Sequence, residues 1–192
     1  MNRIFLSLLL ISGLLSCHLD DTQNNYTITG KIAWPGGDID FNQALTVYLL
    51  KGDQVVSTSH ESPFTFSNLQ EGINYTILPV STAEGRNGIS TLDFVEIEKR
   101  IQGIIEFNLF QEIAADANRD HVIDNEDLQI IRDCILQSPK LYDCPSYRFV
   151  SEEHTEDSFS YIDQYVTGKL FADHEISFIP VKIGDINNTI NP

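Results

Sequence analysis

Polar and apolar residues alternate from Tyr26 to Ile32, the period of a half-buried strand. Trp34-Pro35-Gly36-Gly37-Asp38 then carries turn chemistry. Ala44 to Leu50 predicts a second strand, Lys51-Gly52-Asp53 its turn, and Gln54 to Ser59 a third strand. Phe64 and Phe66 share one face of a fourth, and Leu69 and Gly72 lead into Tyr75, Ile77 and Val80. Short strands at regular spacing, separated by turns, predict a β-sandwich over residues 26–81. Beyond it the period changes. Phe94, Ile97 and Ile101 recur at helical spacing, as do Leu128, Ile131 and Ile135. Tyr147–Val150, Ser158–Tyr161 and Glu175–Ile183 return to strand character, with the acidic stretch Ser151–Asp157 as a loop between them. The expected class is therefore α+β in two domains: a sandwich at 26–81, then a helical unit at 82–192 with a C-terminal strand extension.

The first residues follow another logic. Met1-Asn2-Arg3 is a short positive start, and the apolar run Ile4–Leu15 is too short to span a bilayer, which takes roughly 20 residues. The run ends Leu14-Leu15-Ser16-Cys17, which resembles a bacterial lipobox. That resemblance implies a signal peptide at 1–16, lipidation of Cys17, a polar tether at 17–25, and a lipid-anchored home in the cell envelope, at the outer membrane. With Cys17 acylated, two of the three Cys remain. In an oxidising compartment Cys134 and Cys144 are candidates for one disulfide, whose short loop contributes about 2–3 kcal/mol on the chain-entropy view. One buried and one exposed thiol is the alternative. Neither Cys has a spacing that suggests zinc.

A formal charge of −16 with 42% hydrophobic residues describes an acidic globular chain. Such a surface repels phosphate backbones and argues against nucleic acid, and it suits cations. One stretch gives the cation a place. In Asp116-Ala-Asn-Arg-Asp-His-Val-Ile-Asp-Asn-Glu-Asp127, oxygen-bearing side chains fall at loop positions 1, 3, 5, 9 and 12: Asp116, Asn118, Asp120, Asp124 and Asp127. Position 7 is Val122, offering its carbonyl, and position 8 is Ile123, anchoring the loop to the core. Calcium takes six to eight oxygens, and this spacing folds a single loop around it. The alternative is a metal-free loop of Asx turns that caps the following helix.

Loop and helix together resemble a type I dockerin, which ends its loop in Asp at position 12. The resemblance implies calcium as cofactor and a protein partner, cohesin-like or another envelope protein. The chain departs from it at position 6, where His121 stands for the usual Gly; a left-handed His costs about 1 kcal/mol. Dockerins are duplicated, and a shift of 34 residues aligns Ile89 with Ile123, Asp93 with Asp127, Phe94 with Leu128, Ile97 with Ile131 and Ile101 with Ile135. The front of that earlier loop is wrong, since Thr82, Glu84 and Arg86 fill positions 1, 3 and 5. The chain nevertheless ends Ile183-Gly-Asp-Ile-Asn-Asn-Thr-Ile, the usual opening of such a loop. A circular permutation would bring Asp185 and Asn187 to Ser90 and Asp93 as a split second metal site. A polar terminal tail is the alternative. The two motifs together look like a recurring module of secreted Bacteroidetes proteins.

Pro63-Phe-Thr-Phe-Ser-Asn-Leu-Gln-Glu-Gly-Ile-Asn-Tyr-Thr-Ile77 resembles the tail of a prealbumin-like or carboxypeptidase-regulatory-like immunoglobulin-type repeat, over roughly residues 24–80. That bears on fold and says little about function. Trp34 either stacks on a sugar or packs the sandwich edge. None of the five His lies in a metal-pair motif, and there is no nucleophile elbow or phosphate loop. The acidic pairs Glu152-Glu153 and Glu96/Glu98 read as solvated faces. The sequence thus points to a non-catalytic calcium-binding lipoprotein serving as a structural or docking module, touching membrane only through its anchor. The other class is a carbohydrate-binding accessory of polysaccharide degradation, marked by an aromatic strip on the sandwich.

Overall fold

The computed structural model describes residues 24–34, 37–38, 44–83, 85–136, 144–154 and 164–187. The leader at 1–16, Cys17, most of the tether, the expected strand at 158–161 and the side chains of Trp34 and His154 lie outside the described residues.

The alternating first half folds as its period requires. Strands β1 (Asn25–Trp34), β2 (Gly37–Asp38), β3 (Leu45–Lys51), β4 (Gln54–Ser59), β5 (Phe64–Gln70) and β6 (Asn74–Ser81) are all antiparallel where they pair with one another. Three helices follow, α1 (Thr91–Ile101), α2 (Leu109–Ala115) and α3 (Asn125–Ile135), and then β7 (Tyr147–Ser151), β8 (Tyr165–Lys169) and β9 (His174–Lys182). One sheet has five strands, with β5 and β2 on β1, then β9 and β7; the other runs β4-β3-β6-β8. The inward residues Ile28, Phe64, Phe66, Phe149 and Phe178 of the first meet Leu45, Val47, Leu49, Tyr75 and Ile77 of the second in one buried core. This is mixed α+β architecture consistent with a β-sandwich. Gly30 sits where β1 crosses that core: a Cβ there would lie 2.3 Å from Phe64 Cζ and 2.5 Å from the Ile176 carbonyl oxygen. Only glycine lets three strands approach so closely.

The strands after the helices correct the expected layout. They do not extend a separate unit at 82–192. β9 runs parallel to β1, with Ile28 opposite His174 and Ile32 opposite Phe178, β7 pairs with β9, and β8 completes the second sheet beside β6. The three helices are thus an insertion between β6 and β7 of a sandwich closed by pairing of β1 with β9, the first and last described strands. β8 and α2 are elements the sequence pattern did not reveal.

β7 and β9 face two cores. Phe149, Ile176 and Phe178 point into the sandwich. Val150 and Val181 instead join Ile97, Ile113, Ala114, Ala115 and Ile131 of the helices, together with Ile183 and Ile186. A strand covered on both faces reads as a nearly continuous apolar run, as Ile176–Ile183 does. Cys134 of α3 is disulfide-bonded to Cys144 with a Cα separation of 5.6 Å, which ties the last turn of α3 to the segment entering β7. No helix of the described residues is long and apolar enough to cross a membrane.

Candidate metal centre

The loop 116–127 is folded by its own carboxylates. α2 delivers Asp116 as its C-cap and α3 begins after Asp124 as its N-cap, in a capping box closed by Asp127. Asp116 Oδ1 accepts the amide of Asp120 at 3.0 Å and Oδ2 that of His121 at 3.3 Å. Asp127 Oδ1 accepts the Asn118 amide at 3.1 Å and Oδ2 the Asp124 amide at 2.9 Å. Asn118, Asp120 and Asp124 each accept an amide two residues on, from Asp120, Val122 and Glu126. The chain therefore winds round the ends of its position-1 and position-12 side chains. The turns need left-handed backbone at Arg119 (φ 68°) and His121 (φ 69°). His121 thus takes the conformation for which glycine is usual, and Arg119 is a second strained position that the sequence did not flag. Val122 is exposed, and Ile123 is packed against the helical core.

Asp116 and Asp127 are both 0% exposed. Burial pushes the Asp127 carboxyl above its ordinary value; the amides of Asp124 and Asn118 pull it down, and the charge of Asp116 pushes it up again. Arg148 of β7, 3% exposed, reaches Asp116 Oδ2 at 3.3 Å and balances one charge. Each carboxylate oxygen carries two lone pairs, so the amide bonds leave acceptor capacity for a cation. Among the described residues, no three His, Cys, Asp or Glu side chains stand together as a metal-holding group. A cation here would also draw on Asn118 and the Val122 carbonyl, as hard-ion loops do.

The second candidate has the same frame built from two distant stretches. Ser90 N-caps α1 and Asp93 closes its capping box: Asp93 Oδ2 accepts the Ser90 amide at 2.9 Å and the Ser90 hydroxyl at 2.7 Å. Asp93 Oδ1 accepts the amides of Ile186 at 2.8 Å and Asn187 at 3.3 Å. Under the 34-residue shift Asp93 corresponds to Asp127 and Ser90 to Asp124. The Asn187 amide stands to Asp93 as the Asn118 amide stands to Asp127. Asp93 and Asp185 are 0% and 2% exposed. Both polar atoms of the Asn187 side chain are buried with no hydrogen-bond partner among the described residues. The two fronts touch, since the Gly184 amide donates to the Ala114 carbonyl at 2.7 Å and Gln111 Nε2 to the Ile186 carbonyl at 3.4 Å.

The structure thus gathers the 116–127 set into one loop, and Ser90 and Asp93 with the 185–187 turn into another. Sequence reasoning missed the two buried cations beside them, Arg148 and Lys182. Burial lowers the Lys182 ammonium to about 8, with the charge of Asp185 raising it in opposition. Burial and then Asp185 raise Tyr147. The available signal was two basic residues inside apolar strands of a chain with only 12 Lys plus Arg. No family model matches the chain, and neither the curated proteins nor the solved structures contain a match to it.

Proposed function

We propose that this chain is a non-catalytic, lipid-anchored envelope protein whose helical insertion binds calcium at a dockerin-like loop and at a split counterpart, and serves as a structural or protein-docking module. The observation that carries the reading is the repeated frame: a fully buried Asp at the third position of a helix, each accepting the amide of an Asn two residues beyond a buried Asp. Asp116, Asn118, Asp120, Val122 through its carbonyl, Asp124 and Asp127 would hold one ion, and Ser90, Asp93, Asp185 and Asn187 the other. Bound calcium would supply the positive charge that these buried carboxylates lack in part. Docking is favoured over sugar binding by the exposed large apolar side chains among the described residues, which are aliphatic apart from Phe171.

Calorimetric titration of the folded chain with calcium is expected to give a stoichiometry of two. Asp127→Asn and Asp93→Asn should each remove one ion. At a calcium concentration one hundred times Kd, each ion adds about 2.7 kcal/mol, or roughly 5–10 °C in Tm for a chain of this size. A melting curve that is the same in EDTA and in calcium overturns the reading.

A pH readout accompanies it. In EDTA the folded Asp127 carboxyl titrates above 3.8, so the fold holds that proton more tightly than the unfolded chain does. Its contribution to stability is full below about pH 3.9 and is lost as pH rises through the folded value. Calcium favours the carboxylate and reverses the sign. Carboxyl-carbon NMR should place Asp127 above its unfolded value without calcium and below it with calcium. An unchanged midpoint would remove Asp127 from the ligand set.

A further inference from the structure

Lys182 is a buried cation that neither loop uses as a ligand, and its surroundings give it another task. Its Nζ donates to the carbonyls of Gly85, of Pro145 at 3.2 Å, of Ser146 at 3.4 Å and of Ile183 at 3.1 Å. The Tyr147 ring lies 5.7 Å away. These carbonyls belong to three chain segments. Gly85 leads into Ser90 and α1, and a Cβ on it would fall 1.9 Å from the Cys144 carbonyl oxygen. Pro145 and Ser146 follow the disulfide half Cys144. Ile183 begins the turn that carries Asp185, Ile186 and Asn187 onto Asp93, and its amide is itself bonded to the Ser146 carbonyl at 3.0 Å.

We propose that Lys182 is the positioning residue of the split site: its ammonium fastens the Gly85, Pro145–Ser146 and Ile183 backbones to one another and thereby holds the Asp185–Asn187 turn on the N-terminus of α1. An ammonium has three donors and no acceptor, so it is a fastener here and never a metal ligand. The 116–127 loop needs no counterpart, because its twelve residues are contiguous and α2 delivers Asp116 directly. A split loop has lost that covalent continuity, and a buried charge-assisted cage restores it. Methionine at 182 keeps the volume and takes the ammonium away from all four carbonyls, of which that of Ser146 retains the Ile183 amide.

The test uses the disulfide-intact chain. In EDTA, Lys182→Met should speed hydrogen exchange of the Ile186 and Asn187 amides roughly tenfold, while the Asn118 and Asp120 amides keep wild-type protection. In calcium, the same variant should weaken the ion removed by Asp93→Asn by a similar factor and leave the ion removed by Asp127→Asn unchanged. Wild-type protection of Ile186 and Asn187, or equal loss at all four amides, overturns the proposal. If the Met variant does not fold, Lys182→Gln, which keeps two donors without charge, should show the same pattern at smaller size, and unchanged protection there overturns it too. The calcium arm rests on the split-site reading. A wild-type chain that binds no calcium would end that reading, while the exchange measurement in EDTA still decides the role of Lys182.

Discussion

Asp116→Ala is expected to cost about 3–5 kcal/mol of stability even without calcium, because it removes the carboxylate facing a buried arginine. Asp116 is 0% and Arg148 3% exposed, so water does not replace the lost partner. The His121 amide loses an acceptor as well and the Asp120 amide keeps only that of Asn118, which loosens the turn that keeps His121 left-handed. For a chain of this length the loss corresponds to a fall in Tm of roughly 6–20 °C, readable by calorimetry in EDTA. Asp116→Asn keeps acceptor oxygen and shape and should lose distinctly less. In calcium the alanine variant should also bind one ion fewer. A loss under about 1 kcal/mol would mean that the Asp116–Arg148 pair is not a buried pair in solution.

Gly184→Ala is the second change with a large effect. Gly184 has φ +84°, and a Cβ there would stand 2.7 Å from Ile131 Cδ1 and 2.8 Å from Ile89 Cδ1. The left-handed backbone costs about 1 kcal/mol with a side chain. Crowding between two core isoleucines adds about 1–3 kcal/mol, so a total of about 2–4 kcal/mol is expected by urea denaturation. The isoleucine contacts are side-chain tips, and Ile131→Val should recover part of the crowding cost but none of the backbone cost. A double-mutant cycle therefore separates the two, with a favourable coupling of at least about 0.5 kcal/mol expected. The same variant lifts the 185–187 turn and should weaken the second ion more than the first. Strict additivity, with no change at either ion, would contradict the packing of this turn.

Both predictions concern places where the chain's local grammar was readable and its long-range use was not. The alternation of Tyr26–Ile32 and the helical spacing of Ile97 and Ile131 follow from period alone, since one face of each element must be buried. The loop 116–127 was legible for the same reason. Its donors and acceptors lie within twelve residues, and each amide it satisfies is two to nine residues away. Asp93 stood in register with Asp127 under the 34-residue shift, and the turn at 183–187 carried the opening of a loop, so the two halves of the split frame could be suspected separately. β8 could not be found, because Tyr165–Lys169 is short, has a glycine at its fourth position and takes its meaning from β6. α2 is a single seven-residue helix whose period is too brief to register. Arg148 lies in a stretch whose period marks only a strand, and its burial follows from both faces of β7 being covered.

The sequence by itself determined the strands of the first half, the helices α1 and α3, their inward faces and the oxygen-rich loop, because these rest on neighbours a few residues apart. Only the tertiary structure decided that β9 lies parallel to β1, that the helices are inserted in the sandwich, and that Arg148 and Lys182 stand beside the buried aspartates. Those facts depend on residues that come together only when β1 and β9 enter one sheet. A strand's period fixes which way its side chains point and leaves its partner open.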